Sequence, residues 1–252
     1  LGRFEYECSH SGRGMIRAFR RRKTGEVVAL AGDNIRFNAQ GFVAREDLDA
    51  DAPGSWTSTF SLDEKEAAGC AVSPLGMATQ ARVRLPLDEW ECVLQDGTPV
   101  LGMHIPAGGK MGLDACIASM QRAARFFPEH FPEFGARAIE CSSWLFNTAL
   151  EQILKPEANL VQYQRELYLY PVPSNGQDGL WFIFLQDAFD PATAPRDTSL
   201  RRSIAEFIEA GHTWRGGGMF VLFDDVGRLG TQPYRRQWPP ASLASSLRGT
   251  SA

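Results

Sequence analysis

VLGMHIPAGGKMGLDACIASM, residues 100–120, passes from a strand-like run through a histidine, a proline and paired glycines straight into an amphipathic helix. The helix reading rests on Leu113, Cys116, Ile117, Met120, Ala124 and Phe127, which recur at helical spacing over 113–127, with Pro128 and Pro132 expected to end it. The strand reading covers 99–105. A strand that enters a helix through glycines is a general anion site, because the first N–H groups of the helix lack partners and the helix dipole adds positive potential. Gly108, Gly109 and Gly112 let a ligand approach the main chain closely, and Lys110 adds a charge. The stretch matches neither the Walker pattern nor the dinucleotide fingerprint. A tight strand-to-helix turn explains the same glycines equally well.

Outward from this stretch, the first 45 residues read as a β-meander, with turns at Thr24-Gly25, Gly32-Asp33-Asn34 and Gln40-Gly41 between runs rich in Val, Ile and Phe. Phe4, Tyr6 and Cys8 alternate with Arg3, Glu5 and Glu7. Residues 46–55 are acidic and read as a surface loop, 56–60 as a short strand, and 80–85 as a strand. Pro86, with Asp88 and Glu89 in a first turn, reads as the start of a short helix whose apolar face is Leu87, Trp90, Val93 and Leu94. Residues 138–143 read as a strand, 144–154 as a short helix, 160–172 as a long alternating strand and 180–186 as a strand buried on both faces. Residues 199–210 read as an amphipathic helix and 216–223 as a closing strand. Meandering strands followed by strand–helix alternation give an α+β fold. The expected organisation is one domain over 1–235, with a β-meander-rich part (1–85) and a strand–helix part that carries the loop (86–235), and a flexible tail over 236–252.

Composition narrows the function. The net charge of −4 offers no basic excess for nucleic acid. No apolar run approaches the roughly 20 residues that span a bilayer. Five widely spaced cysteines with no CxxC argue against a disulfide framework or a zinc site, so a cytoplasmic chain with reduced thiols and no metal is expected.

The stretch HIPAGG (104–109) resembles a segment of a bacterial group of GNAT-like acyltransferases whose C-terminal domain follows a helical N-terminal domain. LGRFEYE (1–7), AVSPLG (71–76), LDEWECVLQDGTPVLGMHIPAGG (87–109), ECSSWLFNTALEQIL (140–154), ANLVQYQRELYLYP (158–171) and SLRRSIAEFIEAGHTWRGGG (199–218) follow that group's pattern in order. The resemblance covers residues 1–223. It implies a mixed, mostly antiparallel central sheet flanked by helices, with an acyl-CoA, acetyl-CoA first, wedged between two splayed central strands. It also implies a small-molecule amine as acceptor and a helical domain upstream of Leu1. The family's pyrophosphate loop reads Q/R-x-x-G-x-G/A; the matching AGGKMG (107–112) lacks the leading Gln or Arg, which keeps an acyl carrier protein open as donor. A catalytically silent domain that binds a ligand or partner is the alternative from another class.

Acyl transfer to an amine needs a base, an oxyanion site and a proton for the leaving thiolate. His104, at the strand end beside side-chain-free Gly102, is the candidate base or acceptor-orienting group; fixing the turn by a hydrogen bond to backbone is its other reading. Glu140 is a second candidate base, or a carboxylate satisfied by Arg137. Cys141 reads as an inert thiol rather than a nucleophile. No tyrosine lies in 144–154 to serve as acid, and Ser143 and Asn147 are the polar residues near that place. Ile105, Gly108, Gly109, Lys110, Gly112 and Asn159 are the expected cofactor-binding residues. Arg20-Arg21-Arg22-Lys23 reads as solvated edge charge. His212, Trp214 and Arg215 read either as acceptor-pocket lining or as a helix C-terminal turn.

Overall fold

The computed structural model describes every residue except 13, 50, 187 and 249–252. Nine strands come first: β1 (Glu5–His10), β2 (Ile16–Arg21), β3 (Val27–Ala31), β4 (Arg36–Phe37), β5 (Trp56–Thr57), β6 (Phe60–Leu62), β7 (Glu66–Ser73), β8 (Met77–Pro86) and β9 (Trp90–Leu94). The remainder alternates: β10 (Pro99–His104), α1 (Leu113–His130), β11 (Ala138–Ser143), α2 (Leu150–Ile153), α3 (Asn159–Arg165), β12 (Tyr168–Tyr170), α4 (Leu180–Phe184), α5 (Ser199–Glu209), β13 (Gly217–Leu222) and α6 (Ala244–Arg248).

The central sheet has the order β1-β10-β11-β13-β12, and only β10 and β11 run parallel in it. On β10, Leu101 and Met103 join Cys116 and Met120 of α1 in the main core, while Gly102 and His104 occupy the opposite face. Burial of α1 is the main fixed point of this layer; each Met or Phe it buries is worth about 1.5–3 kcal/mol. A second sheet, β6-β7-β3-β2-β9 with β8 on β7, packs around Phe19, Leu30, Leu85 and Trp90. The Tyr168 hydroxyl joins the sheets: it accepts from Ala29 N–H at 2.9 Å and donates to Val72 C=O at 2.6 Å.

Several local expectations are corrected. Residues 90–94 form strand β9, not a helix. Cross-strand pairs Arg21–Glu89 (2.7 Å) and Arg22–Glu91 (2.9 Å) hold this segment to β2 and its turn, and a bulge at Ala18/Phe19 absorbs the spacing that mimics a helical face. Arg20, Arg21 and Arg22 of the basic run are thus engaged in ion pairs, with Arg20 bonded to buried Asp225 at 2.6 Å.

Residues 159–165 form helix α3, and only 168–170 of the expected long strand are extended. Tertiary contacts favour the helix: Tyr163 packs on Phe4, and the Gln164 amide donates to Leu145 and Asn147 C=O at 2.7 and 2.9 Å. Residues 180–184 are helical too. Leu180, Ile183 and Phe184 are buried at i, i+3, i+4 spacing, and Trp181, Phe182 and Leu185 are exposed. Helix α1 continues past Pro128 to His130, because a proline in the last turn forfeits only one backbone bond; Phe131 N–H still bonds Phe127 C=O at 2.8 Å. Residues 144–154 split into a 3-10 turn (Trp144–Phe146) and α2. In the tail, Leu243 is buried and Leu247 packs beside it against the second core, so residues 243–247 are docked rather than flexible; 249–252 lie outside the described residues. Among the described residues no helix is long and apolar enough to cross a membrane.

Candidate active site

The parallel pair β10–β11 is in register only over Val100–Gly102 against Ala138–Glu140. β10 continues to His104 and β11 to Ser143, so beyond Gly102 and Glu140 the facing edges of the two strands have no partner in each other. A cleft of about 420 Å³ opens here, lined by Glu7, Ser9, Gly102, His104, Glu140, Ser142 and Tyr170 among others.

Register explains the convergence. Glu7 lies opposite Gly102, and Gly102 opposite Glu140, so two carboxylates flank one glycine in a single cross-strand row. A Cβ at Gly102 would stand 3.2 Å from Glu7 Cγ, which shows Glu7 leaning into the space the glycine leaves. Tyr170 of β12 lies over Gly218 of β13, where a Cβ would come within 2.4 Å of two ring carbons. That gap lets the phenol reach past β13 to β11 and donate to Glu140 Oε1 at 3.1 Å; the Ser11 hydroxyl donates to the same oxygen at 3.2 Å. Burial first, then the charge of Glu140, pushes the Tyr170 phenol well above its ordinary pKa, so it is protonated at any working pH.

His104 is exposed at the cleft mouth, and its ring makes no hydrogen bond among the described residues. Past it, Ile105 packs against the main core. Gly108, Gly109 and Lys110 are exposed in the loop before α1, and Gly112 caps that helix. Gly108 sits at φ +82°, a left-handed conformation that glycine adopts without strain. Arg3 donates to Pro106 C=O at 2.9 Å and to Gly109 C=O at 3.1 Å. The N–H groups of residues 107–112 donate no hydrogen bond among the described residues.

The model of the GNAT-like C-terminal domain family matches residues 1–220. The chain belongs to this family. Solved structures similar to this GNAT-like domain include an acyltransferase in complex with decanoyl-CoA and teicoplanin, 35% identical over 50% of this chain and 42% of that one, with a TM-score of 0.47. An acyltransferase mutant in complex with octanoyl-CoA is 34% identical over 50% of this chain and 41% of that one (TM-score 0.46), and an acyltransferase in complex with decanoyl-CoA is 32% identical over 57% and 45% (TM-score 0.46). The chain thus spans less than half the length of these structures. No curated protein matches it.

Within the GNAT-like domain the structure gathers His104 and Glu140 at one cleft and leaves other expected residues outside it. Ser143 caps the following 3-10 turn by accepting from Leu145 N–H at 3.2 Å, and Ser142, one position earlier, lines the cleft. Asn159 is exposed at the start of α3 and lines neither this cleft nor a second cavity of about 480 Å³. That second cavity, between the 38–53 loop and the segments 147–152 and 207–215, holds His212 and Arg215. Arg215 is bound there to Asp49 and to Val43 C=O, whereas Trp214 is buried with its indole N–H on Asp178 C=O at 2.9 Å. Sequence reasoning missed Glu7, Ser11, Ser142 and Tyr170. Tyr170 was legible only as part of an alternating run, because its reach to Glu140 depends on Gly218 of a third strand.

Burial, and next the charge of Glu140, pushes the Cys141 thiol up to about 12, so thiolate is scarce near neutral pH. Cys141→Ala should retain turnover within about twofold, and intact-mass analysis after incubation with an acyl-CoA should show no acyl adduct on the unsubstituted protein. A stable adduct lost in the variant would establish a covalent route instead.

Proposed function

We propose that this domain is an N-acyltransferase that moves an acyl group from an acyl-CoA to an amine of a small molecule by direct attack within a ternary complex. The observation that carries the reading is the parting of β10 from β11 after Gly102 and Glu140, with uncommitted loop N–H groups beyond the end of β10. A thioester arm laid into that gap meets unpaired backbone donors and acceptors along the strand edges, and its diphosphate meets the loop amides and the N-terminus of α1.

The chemistry then falls to the row of side chains on the open face. An acceptor amine above Gly102 sits between Glu7 and Glu140, whose charges favour its cationic form on arrival. After it has released one proton to water at the open cleft mouth, its neutral nitrogen attacks the thioester carbonyl carbon. As the C–N bond forms, the surplus N–H proton passes to Glu140, and backbone N–H groups of the parted β10 edge stabilise the oxyanion. As the C–S bond breaks, the coenzyme A thiolate takes the Tyr170 phenol proton in the same step as the phenol oxygen takes the proton held by Glu140, so that no phenolate forms and both side chains return to their starting state. His104 orients the acceptor at the cleft mouth.

Thermal melting tests the donor. An acyl-CoA at a hundred times its Kd should stabilise the domain by roughly 2.7 kcal/mol. A series from acetyl-CoA to decanoyl-CoA reads the preferred acyl length. An unchanged Tm with every acyl-CoA would refute the reading in favour of a carrier-protein donor or a silent domain.

A further inference from the structure

Arg3 stands 103 residues before Pro106 in sequence and touches it in space. The antiparallel register that sets Glu5 opposite His104, carried on two residues past β1 and β10, brings Arg3 to Pro106 in the loop. Its fork takes two loop carbonyls, Pro106 through Nη1 at 2.9 Å and Gly109 through Nη2 at 3.1 Å. Gly109 is matched to it: a Cβ there would lie 3.1 Å from Arg3 Cζ and Nε. Arg3 Nε is buried and has no partner among the described residues, so the clamp leaves one donor unspent.

Drawing two carbonyls toward a guanidinium turns the N–H groups of the same peptide units, those of Ala107 and Lys110, away from it. The loop itself offers Lys110 as its one cation, and the first turn of α1 adds the opposing carboxylate of Asp114. Arg3 brings a second, permanent cation to that loop from the segment just before β1.

We infer that Arg3 is a positioning residue for a diphosphate-bearing donor: it fixes the 106–109 loop through two of its carbonyls and adds a permanent positive charge to that of Lys110. This rests on the acyl-CoA reading above and goes beyond it by assigning the group that makes the loop fit a diphosphate.

Isothermal titration with three ligands tests it: coenzyme A, inorganic diphosphate, and pantetheine, which keeps the arm and lacks phosphate. Arg3→Gln should weaken coenzyme A by about 10- to 100-fold, as expected for losing a charge-assisted contact. It should abolish competition by inorganic diphosphate and leave pantetheine unchanged. Arg3→Lys keeps the charge without the two-carbonyl fork, and should recover part of the loss. In turnover assays the defect should appear in KM for the acyl-CoA, with kcat within about threefold. Equal weakening of pantetheine and coenzyme A would mean that Arg3 only supports the fold, and would overturn the inference. If Arg3→Gln does not fold, Arg3→Lys decides through the same coenzyme A-to-pantetheine ratio. Unsubstituted protein that binds no coenzyme A would remove the donor reading and this inference together. Binding by the unsubstituted protein that Arg3→Gln leaves unchanged would remove this inference alone.

Discussion

Glu140→Gln should lower turnover by about 10²- to 10⁴-fold while leaving acyl-CoA affinity within about twofold. The size follows from the position. Glu140 is the last β11 residue in register with β10, and its Oε1 already holds the Tyr170 phenol and the Ser11 hydroxyl. A carboxamide of the same shape can still accept those hydrogen bonds, so the sheet and the cleft survive. What it cannot do is take the amine's proton or hand it to Tyr170. The split between kcat and donor affinity separates this role from a structural one, since a merely structural Glu140 would spare turnover or lose folding with it. His104→Ala belongs in the same series; a drop in kcat/KM for the acceptor with kcat largely preserved fits an orienting group. Glu140→Gln protein with more than a tenth of normal turnover, folded by circular dichroism, would remove Glu140 from the chemistry.

Alkaline titration should give the second large effect. All five tyrosines of the chain, Tyr6, Tyr163, Tyr168, Tyr170 and Tyr234, are raised above the ordinary phenol range, each chiefly by burial. A raised phenol favours the protonated form in the folded state. The stabilisation is therefore complete below the unfolded pKa near 10 and is lost as pH rises above it, because the unfolded chain ionises first. At pH 11 an unfolded tyrosine that stays neutral when folded costs roughly 1.4 kcal/mol, and five together cost about 7 kcal/mol, comparable to the whole stability of a typical domain. Tyrosinate absorbance near 295 nm should stay flat through pH 10 and then rise in one steep step that coincides with loss of circular dichroism. A gradual rise beginning below pH 10, with structure intact, would show that these hydroxyls are wetter than their surroundings indicate.

Legibility differed by element. The helix after the glycine loop, the 199–209 helix, the strands 99–104 and 138–143 and the closing strand could be read locally, because hydrophobic period and turn residues agree there. The segments 86–94, 160–167 and 180–186 could not. Leu87, Trp90, Val93 and Leu94 carry helical spacing over too short a window, and pairing with β2 outweighs it. Trp181, Phe182 and Leu185 look like core residues in sequence, but only their neighbours are buried. At the candidate cleft, His104 and the glycines beyond it stood out in sequence as the end of a strand and a turn, and Glu140 by its place on a predicted strand. Tyr170, Glu7 and Arg3 did not, since each acquires meaning only from a partner distant in sequence.

By itself, the sequence determined the class of fold and the glycine-rich strand–loop–helix unit, both of which follow from backbone freedom and apolar spacing. Tertiary structure alone decided which carboxylates flank Gly102, which phenol reaches Glu140 and which guanidinium clamps the loop. Those choices are set by β-register, in which a shift of one residue sends every side chain to the opposite face.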